Sequence, residues 1–278
     1  MNDPTVPLTA VMPHTTQIVL LVLMTLGAVA SWAYAIRQSV RRGDLAMIFL
    51  LVGAGISIYY EALGDALVKV YYCERGQIGW VHDFGRSIPA FIGILYFWYL
   101  PVGAYWVIAN AGRGISARKW WTAWTGYLLF AIGFEIGVTK TGGSPWIYHG
   151  PQAFKVLDVP VLTPFTYVSF DVGIALGVWA LQRWLPRRQQ WLIVPAVPIL
   201  MVSSHAATSL PLAVALYSNT HNTTLIAVGA LGSAFLALVL SHLASLVFRR
   251  PWAELRPGSG AVAGWDQEER SPLAGAGV

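Results

Sequence analysis

Glu61, Asp65 and Lys69 recur at four-residue intervals within the stretch 58–86, IYYEALGDALVKVYYCERGQIGWVHDFGR. On a helix that spacing sets the three on one stripe, with Tyr59, Tyr60, Tyr71 and Tyr72 beside or behind it. Two more carboxyls, Glu135 and Asp171, stand in long apolar runs further along. Ionisable groups in such runs usually face a protein cavity or an interface, because exposure to hydrocarbon is costly. Buried carboxyls among aromatic rings suit one chemistry well: protonation of an alkene or epoxide, with ring faces stabilising the cation that results. An ion pair of Glu61 or Asp65 with Lys69 or Arg86 at a membrane edge accounts for those two acids equally well.

The elements that must carry these groups follow from composition. The chain is 56% hydrophobic and 11% charged, with a mean hydropathy of +0.56, where an ordinary soluble domain is about one-quarter charged. An integral membrane protein is expected. Apolar runs at 17–36, 45–64, 87–110, 120–138, 161–184, 191–217 and 224–248 are each about long enough to cross a bilayer as helix. The second is expected to continue as helix to Tyr72. The fold class is therefore all-α, a polytopic bundle of seven transmembrane helices occupying 17–250, between a short extracytoplasmic N-terminus at 1–16 and a disordered cytoplasmic tail at 251–278.

Orientation comes from the basic residues, which accumulate in cytoplasmic loops. One set of connections and the tail hold thirteen Lys and Arg, and the opposite set holds only Lys69, Arg75, Arg86, Lys140 and Lys155. That bias places the N-terminus outside and the C-terminus in the cytoplasm. The net charge of +5 is thus a matter of topology, and no nucleic-acid partner is implied. The segment 1–16 has no basic stretch before the first apolar run, so no cleaved signal peptide is expected. A single cysteine, Cys73, excludes an internal disulfide framework and a Cys-based metal cluster. No repeat is visible, and no inverted pair of broken helices of the kind found in many transporters.

At about 1.5 Å of rise per helical residue, Glu61 and Glu135 fall near the outer ends of spans two and four, and Asp171 near the midplane of span five. His205 falls in the outer half of span six among Ser203, Ser204, Thr208 and Ser209, and span three adds Tyr96, Trp98 and Tyr99 at about its middle. The expectation is an outward-biased, aromatic-walled cavity holding a few acids, the default binding site of a helical bundle. Several of these residues have plainer roles. Trp80, Trp120, Trp121, Trp124 and Trp146 suit an interfacial aromatic belt. A lone intramembrane His or Ser more often satisfies a neighbouring helix.

The segment 134–176, FEIGVTKTGGSPWIYHGPQAFKVLDVPVLTPFTYVSFDVGIAL, has a span ending in Glu, a Thr-Gly turn, a Trp-x-Tyr cluster and Val-Pro-x-x-x-Pro opening the next span. In this it resembles the membrane-embedded carotenoid hydratase and cyclase proteins, and is similar to other small multi-span terpene cyclases that use acidic residues. The resemblance implies that Glu135 is the acid at the end of the family's span and that Trp146, Tyr148 and Pro160 belong to its turn. Ser144 and Pro145 stand where that group commonly has glycines, and Thr166 and Tyr167 where it has an aromatic Trp.

The expected function is a membrane-bound isoprenoid or terpenoid cyclase, or a related hydratase, in the bacterial plasma membrane. Glu61, Asp65, Glu135 and Asp171 are the candidate catalytic acids and bases. Tyr60, Tyr96, Trp98, Tyr99, Trp146, Tyr148, Tyr167 and His205 are the candidate substrate-binding groups, with His205 positioning a carboxylate. The partners are a lipophilic isoprenoid and the lipid bilayer, with no cofactor and no metal. No DDxxD-type cluster for a Mg²⁺-bound diphosphate is present. A metal-dependent lipid hydrolase is a weaker alternative, because the six histidines, His14, His82, His149, His205, His221 and His242, include no HxxxH pair. His82 beside Asp83 reads as a loop pair bonded to Arg86. A retinal protein is excluded by the lack of lysine in 224–248. A proton-coupled transporter using the four acids as a relay is the alternative from another class.

Overall fold

The computed structural model describes residues 6–43, 45–218 and 222–249, so the tail expected at 251–278 lies outside the described residues. The molecule is a mostly helical bundle. Among the described residues, six helical stretches are long and apolar enough to cross a membrane: His14–Arg41, Ala46–Val68, Ala90–Ala111, Pro164–Trp184, Arg187–Leu216 and Thr223–Arg249. A seventh long helix, α6 (Ala117–Thr141), is not among them, because Trp, Thr, Tyr and Gly dilute its aliphatic content.

Helix α1 (His14–Arg42) ends where Gly43 adopts the left-handed conformation at φ 64° and donates to Ser39 O, the usual way for a glycine to close a helix. The second span is broken into α2 (Ala46–Ile56), a 3₁₀ turn (Ser57–Tyr60) and α3 (Glu61–Val68). It does not reach Tyr72 as helix. Lys69 turns left-handed at φ 55°, and the β-branched and aromatic run after it forms strand β1 (Val70–Tyr72). The third span is also interrupted, between α4 (Ala90–Tyr96) and α5 (Tyr99–Ala111). Pro101 has no N–H for the carbonyl of Phe97, one turn back. The freed rings are taken up by glycines. A methyl group on Gly27 of α1 would stand 2.5 Å from the Trp98 indole, and one on Gly55 of α2 would overlap the Phe97 ring.

Ribbons form one end of the bundle. β2 (Gly79–Asp83) and β3 (Arg86–Pro89) make a hairpin, in which Asp83 pairs with Arg86 and His82 with Ser87 across the strands. β5 (Lys155–Val156) and β6 (Val159–Pro160) make another, tied to α6 by Lys140 Nζ and Asp158 Oδ2 at 2.6 Å. The third pairing crosses the molecule, because β1 lies antiparallel to β4 (Trp146–Tyr148) with Tyr72 opposite Trp146. Below the ribbons, α7 (Pro164–Trp184), α8 (Ile193–Leu216) and α9 (Thr223–Arg249) pack together. A methyl group on Gly173 of α7 would lie 2.5 Å from Ser204 Cβ of α8, and Ser169 Oγ meets Thr208 Oγ1 at 2.9 Å. Close backbone approach and hydroxyl pairing of this kind are how apolar helices associate in lipid. Trp120 and Trp124, expected in an interfacial belt, are buried instead; Trp120 Nε1 donates to Ser241 Oγ of α9 at 3.1 Å.

Candidate functional site

The two interrupted spans put their breaks against one cavity. Its volume is about 130 Å³. Tyr60 and Glu61 reach it from the junction of the 3₁₀ turn and α3, and Tyr96, Trp98 and Tyr99 from the junction of α4 and α5. α6 adds Phe130, Phe134 and Glu135, α7 adds Tyr167 and Phe170, and α8 adds His205. Asp65 borders the same space one turn after Glu61.

The β1–β4 ribbon closes the cavity, and its register selects which side chains point in. His149 N donates to Lys69 O and Cys73 N to Pro145 O. By antiparallel alternation, Tyr72 and Trp146 are then a non-hydrogen-bonded pair, whose side chains approach most closely. Their rings meet edge to face at 6.2 Å. With a period of two, Val70, Tyr72, Trp146 and Tyr148 all face the cavity.

Each of the two glutamates is held by donors from these walls. Tyr72 donates to Glu61 Oε1 at 2.7 Å, and Tyr96 donates to Glu61 Oε2. Trp146 Nε1 donates to Glu135 Oε2 at 2.7 Å. The Tyr148 hydroxyl lies beside Glu135 and 3.2 Å from that of Tyr167. Asp65, Glu61 and Glu135 are within electrostatic reach of one another, and Arg86 lies near Asp65. In the ribbon, burial and then the neighbouring Glu61 push the Tyr72 hydroxyl well above the usual tyrosine range. Burial and then Glu135 do the same to Tyr148. Both therefore remain proton donors at any physiological pH.

Comparison with protein-family models, with curated proteins and with solved structures finds no significant match to this chain. The chemistry of the site rests on its own geometry.

Eleven of the twelve residues expected from sequence border this cavity, and Asp171 does not. Asp171 is buried between α5 and α7, with its Oδ1 2.5 Å from where a methyl group on Gly103 would stand. Its neighbour is Tyr127, and neither side chain completes a hydrogen bond of normal geometry. Tyr127 in turn lies 5.3 Å, ring to ring, from the cavity-facing Tyr99. Depth along a helix was readable from sequence, but the direction in which Asp171 points was not.

His205 is placed differently from expectation as well. The sequence suggests that it positions a carboxylate, but its Nδ1 pairs with Tyr60 Oη at 3.0 Å, and its ring sits edge-on to Phe170 at 4.7 Å. Of the hydroxyls expected around it, Ser204, Thr208 and Ser209 are buried, whereas Ser203 is exposed and bonds back to Ile199 O of its own helix. Trp146, also read as a belt residue, is a buried wall of the site. Tyr72, Phe130, Phe134 and Phe170 were missed. Tyr72 carried a usable signal, since VYY and WIY are short β-prone runs following the second and fourth apolar segments. Among the described residues, no three His, Cys, Asp or Glu are arranged to hold a metal ion.

Proposed function

We propose that this protein is a membrane-bound isoprenoid or terpenoid cyclase, or a closely related hydratase, working by acid-initiated carbocation chemistry. The observation that carries this reading is the meeting of Glu61 and Glu135, from distant helices, on one cavity whose remaining walls are largely aromatic. In the same reading the bundle crosses the bilayer seven times, with α6 as the fourth span and the ribbons on the extracytoplasmic side. Lys and Arg crowd the opposite connections, which favours that orientation.

The roles follow from the hydrogen bonds. Glu61 accepts from hydroxyl donors on both oxygens, an arrangement that suits the charged form and hence a base. Glu135 accepts one bond of normal geometry, on Oε2, and the neighbouring Tyr148 hydroxyl can turn to Tyr167 instead. Glu135 is then the donor. Its proton adds to one carbon of a substrate alkene, forming a C–H bond and leaving a tertiary cation. A second alkene attacks that cation to form a C–C bond, and the cation moves onward. Cyclisation ends when a neighbouring C–H proton passes to Glu61. Hydration ends when water adds and gives its proton to the same group. The faces of Tyr96, Phe134, Trp146 and Tyr167 stabilise the cations without capturing them. Transfer of a proton back from Glu61 to Glu135 resets the site.

The experiment is expression with a pool of polyprenyl substrates and mass spectrometry of lipid extracts, comparing wild type with Glu61→Gln, Glu135→Gln and Asp171→Asn. Product should vanish in the two glutamate variants and persist, reduced, in Asp171→Asn. Product persisting in all three overturns the acid-catalysed reading.

One observation favours a second reading, a proton-coupled transporter. The two interrupted spans and the series Glu135, Tyr99, Tyr127, Asp171 lead from the cavity into the bundle, a layout that also suits a proton relay. Uptake of a solute coupled to proton flux, with no chemical change in lipid extracts, would favour it.

A further inference from the structure

The cavity reaches the outside of the bundle at the exposed ring of Phe130, and the residues around that point constrain what can enter. Thr16, at the start of α1, bonds through Oγ1 to the carbonyl of Gly142, at the end of α6. The two helices are therefore antiparallel and pinned together at the ribbon end. Away from that pin they separate, since α1 packs on α4 and α6 packs on α7, with little packing of α1 on α6. Phe130 of α6 and Met24 of α1 both border the cavity between these helices. Phe130 nevertheless has 55% of its surface exposed. It lies twelve residues from Gly142 along the helix axis, about 18 Å from the pin, which is at hydrocarbon depth in a bilayer about 30 Å thick.

From Phe130 inward the rings form a continuous stack. Phe130 lies on Phe134 at 6.1 Å and 23°, and Phe134 lies on Trp146 at 6.2 Å and 28°. Trp146 is the residue that donates to Glu135. An apolar, ring-faced track thus runs from the lipid-facing surface to the acid. The whole cavity, about 130 Å³, is comparable to cavities of roughly 150 Å³ that hold a single benzene ring. Glu61, the proposed base, borders it, so a phosphate or carboxylate there would meet the Glu61 carboxylate.

We infer that the ligand is an uncharged, membrane-dissolved isoprenoid that enters sideways between α1 and α6, with only its terminal, ring-sized unit enclosed. The rest of the chain lies along Phe130 and out into the bilayer. This rests on the cyclase or hydratase reading and narrows it: reaction occurs at the end of a long chain, and the protein measures the terminal unit, not total length. A substrate with a charged head is rejected at both steps, by the hydrocarbon it must cross and by the carboxylate it would meet.

The test uses the full chain in phosphatidylcholine nanodiscs with two photoreactive geranylgeraniols, one bearing a diazirine on the terminal isoprene unit and one bearing it near the hydroxyl. On illumination the terminal label should attach to Phe134, Trp146 or Tyr148, and the other to Phe130 or to lipid-facing residues of α1. Phe130→Trp, which fills the gap, should lower inner labelling about tenfold, as expected for steric closure of a preformed site; Phe130→Ala should preserve it. Equal attachment of both labels to inner residues overturns the proposal, as do the absence of inner labelling and inner labelling by geranylgeranyl diphosphate. Labelling needs no turnover and is repeated in Glu135→Gln. Retained labelling with acid-independent product sinks the catalytic reading alone, whereas lost labelling with acid-dependent product sinks the side access alone.

Discussion

At the residue scale the site depends on who donates to whom. Glu61 is fixed by two tyrosine hydroxyls and Glu135 by an indole N–H, so removing a donor should act through the acid. Tyr72→Phe removes one bond to a buried carboxylate, an interaction of about 1.5–3 kcal/mol. Product formation should fall by one to two orders of magnitude, on the order of that energy, with little change in folding as read by detergent melting. A variant as active as wild type would mean that Glu61 plays no part as a base. Cys73 offers a separate check on the ribbon end. Burial pushes its thiol up to about 11, so at mildly alkaline pH less thiolate is present than in a free cysteine and the sulfur is shielded as well. Native protein should resist N-ethylmaleimide and react on unfolding; fast modification of native protein would contradict the buried placement.

At the scale of elements, two features carry the site: the interrupted spans and the β1–β4 ribbon. Tyr71 and Ile147 are a hydrogen-bonded pair by the same alternation that sets Tyr72 against Trp146. Ile147→Pro therefore removes a ladder N–H and should detach the ribbon. The helical circular dichroism should stay near wild type while product is lost, because donors to both glutamates leave together. At the break in the third span, the Phe97 ring packs on Gly55 of α2. Gly55→Ala overpacks that contact at a cost of about 1–3 kcal/mol, which a lower melting temperature in detergent would report. The breaks themselves were not legible. Pro101 and the glycines of span two are visible in the sequence, but whether a proline bends or divides a helix depends on what receives the displaced rings. Here that is Gly27 and Gly55, on other helices.

At the scale of the molecule, orientation in the membrane is the open prediction. The ribbon tips Phe84 and Leu157 are exposed, as is Gly112 at the opposite end. In intact cells, Phe84→Cys and Leu157→Cys should react with a membrane-impermeant maleimide, and Gly112→Cys should react only after the membrane is opened. The reverse pattern would invert the bundle and put the cavity on the cytoplasmic side. Background labelling at Cys73 is limited by its burial.

The sequence by itself determined that the chain is helical, with helices long and apolar enough to cross a membrane, where most of them lie, and which polar residues sit deep in them. Apolar run length and position along a helix are local properties, and the bilayer leaves few other ways to satisfy a backbone. It also placed Glu61 and Glu135 at similar depth, with the aromatics of span three deeper, and the cavity collects them. Only the tertiary structure decided which of these groups meet. Asp171, expected near the midplane, points at Tyr127 and away from the cavity, and His205 faces Tyr60 in place of an acid. Rotation of a helix about its axis is set by packing against its neighbours, and the pairing of β1 with β4 joins segments over seventy residues apart. Neither is written in any local stretch of the chain.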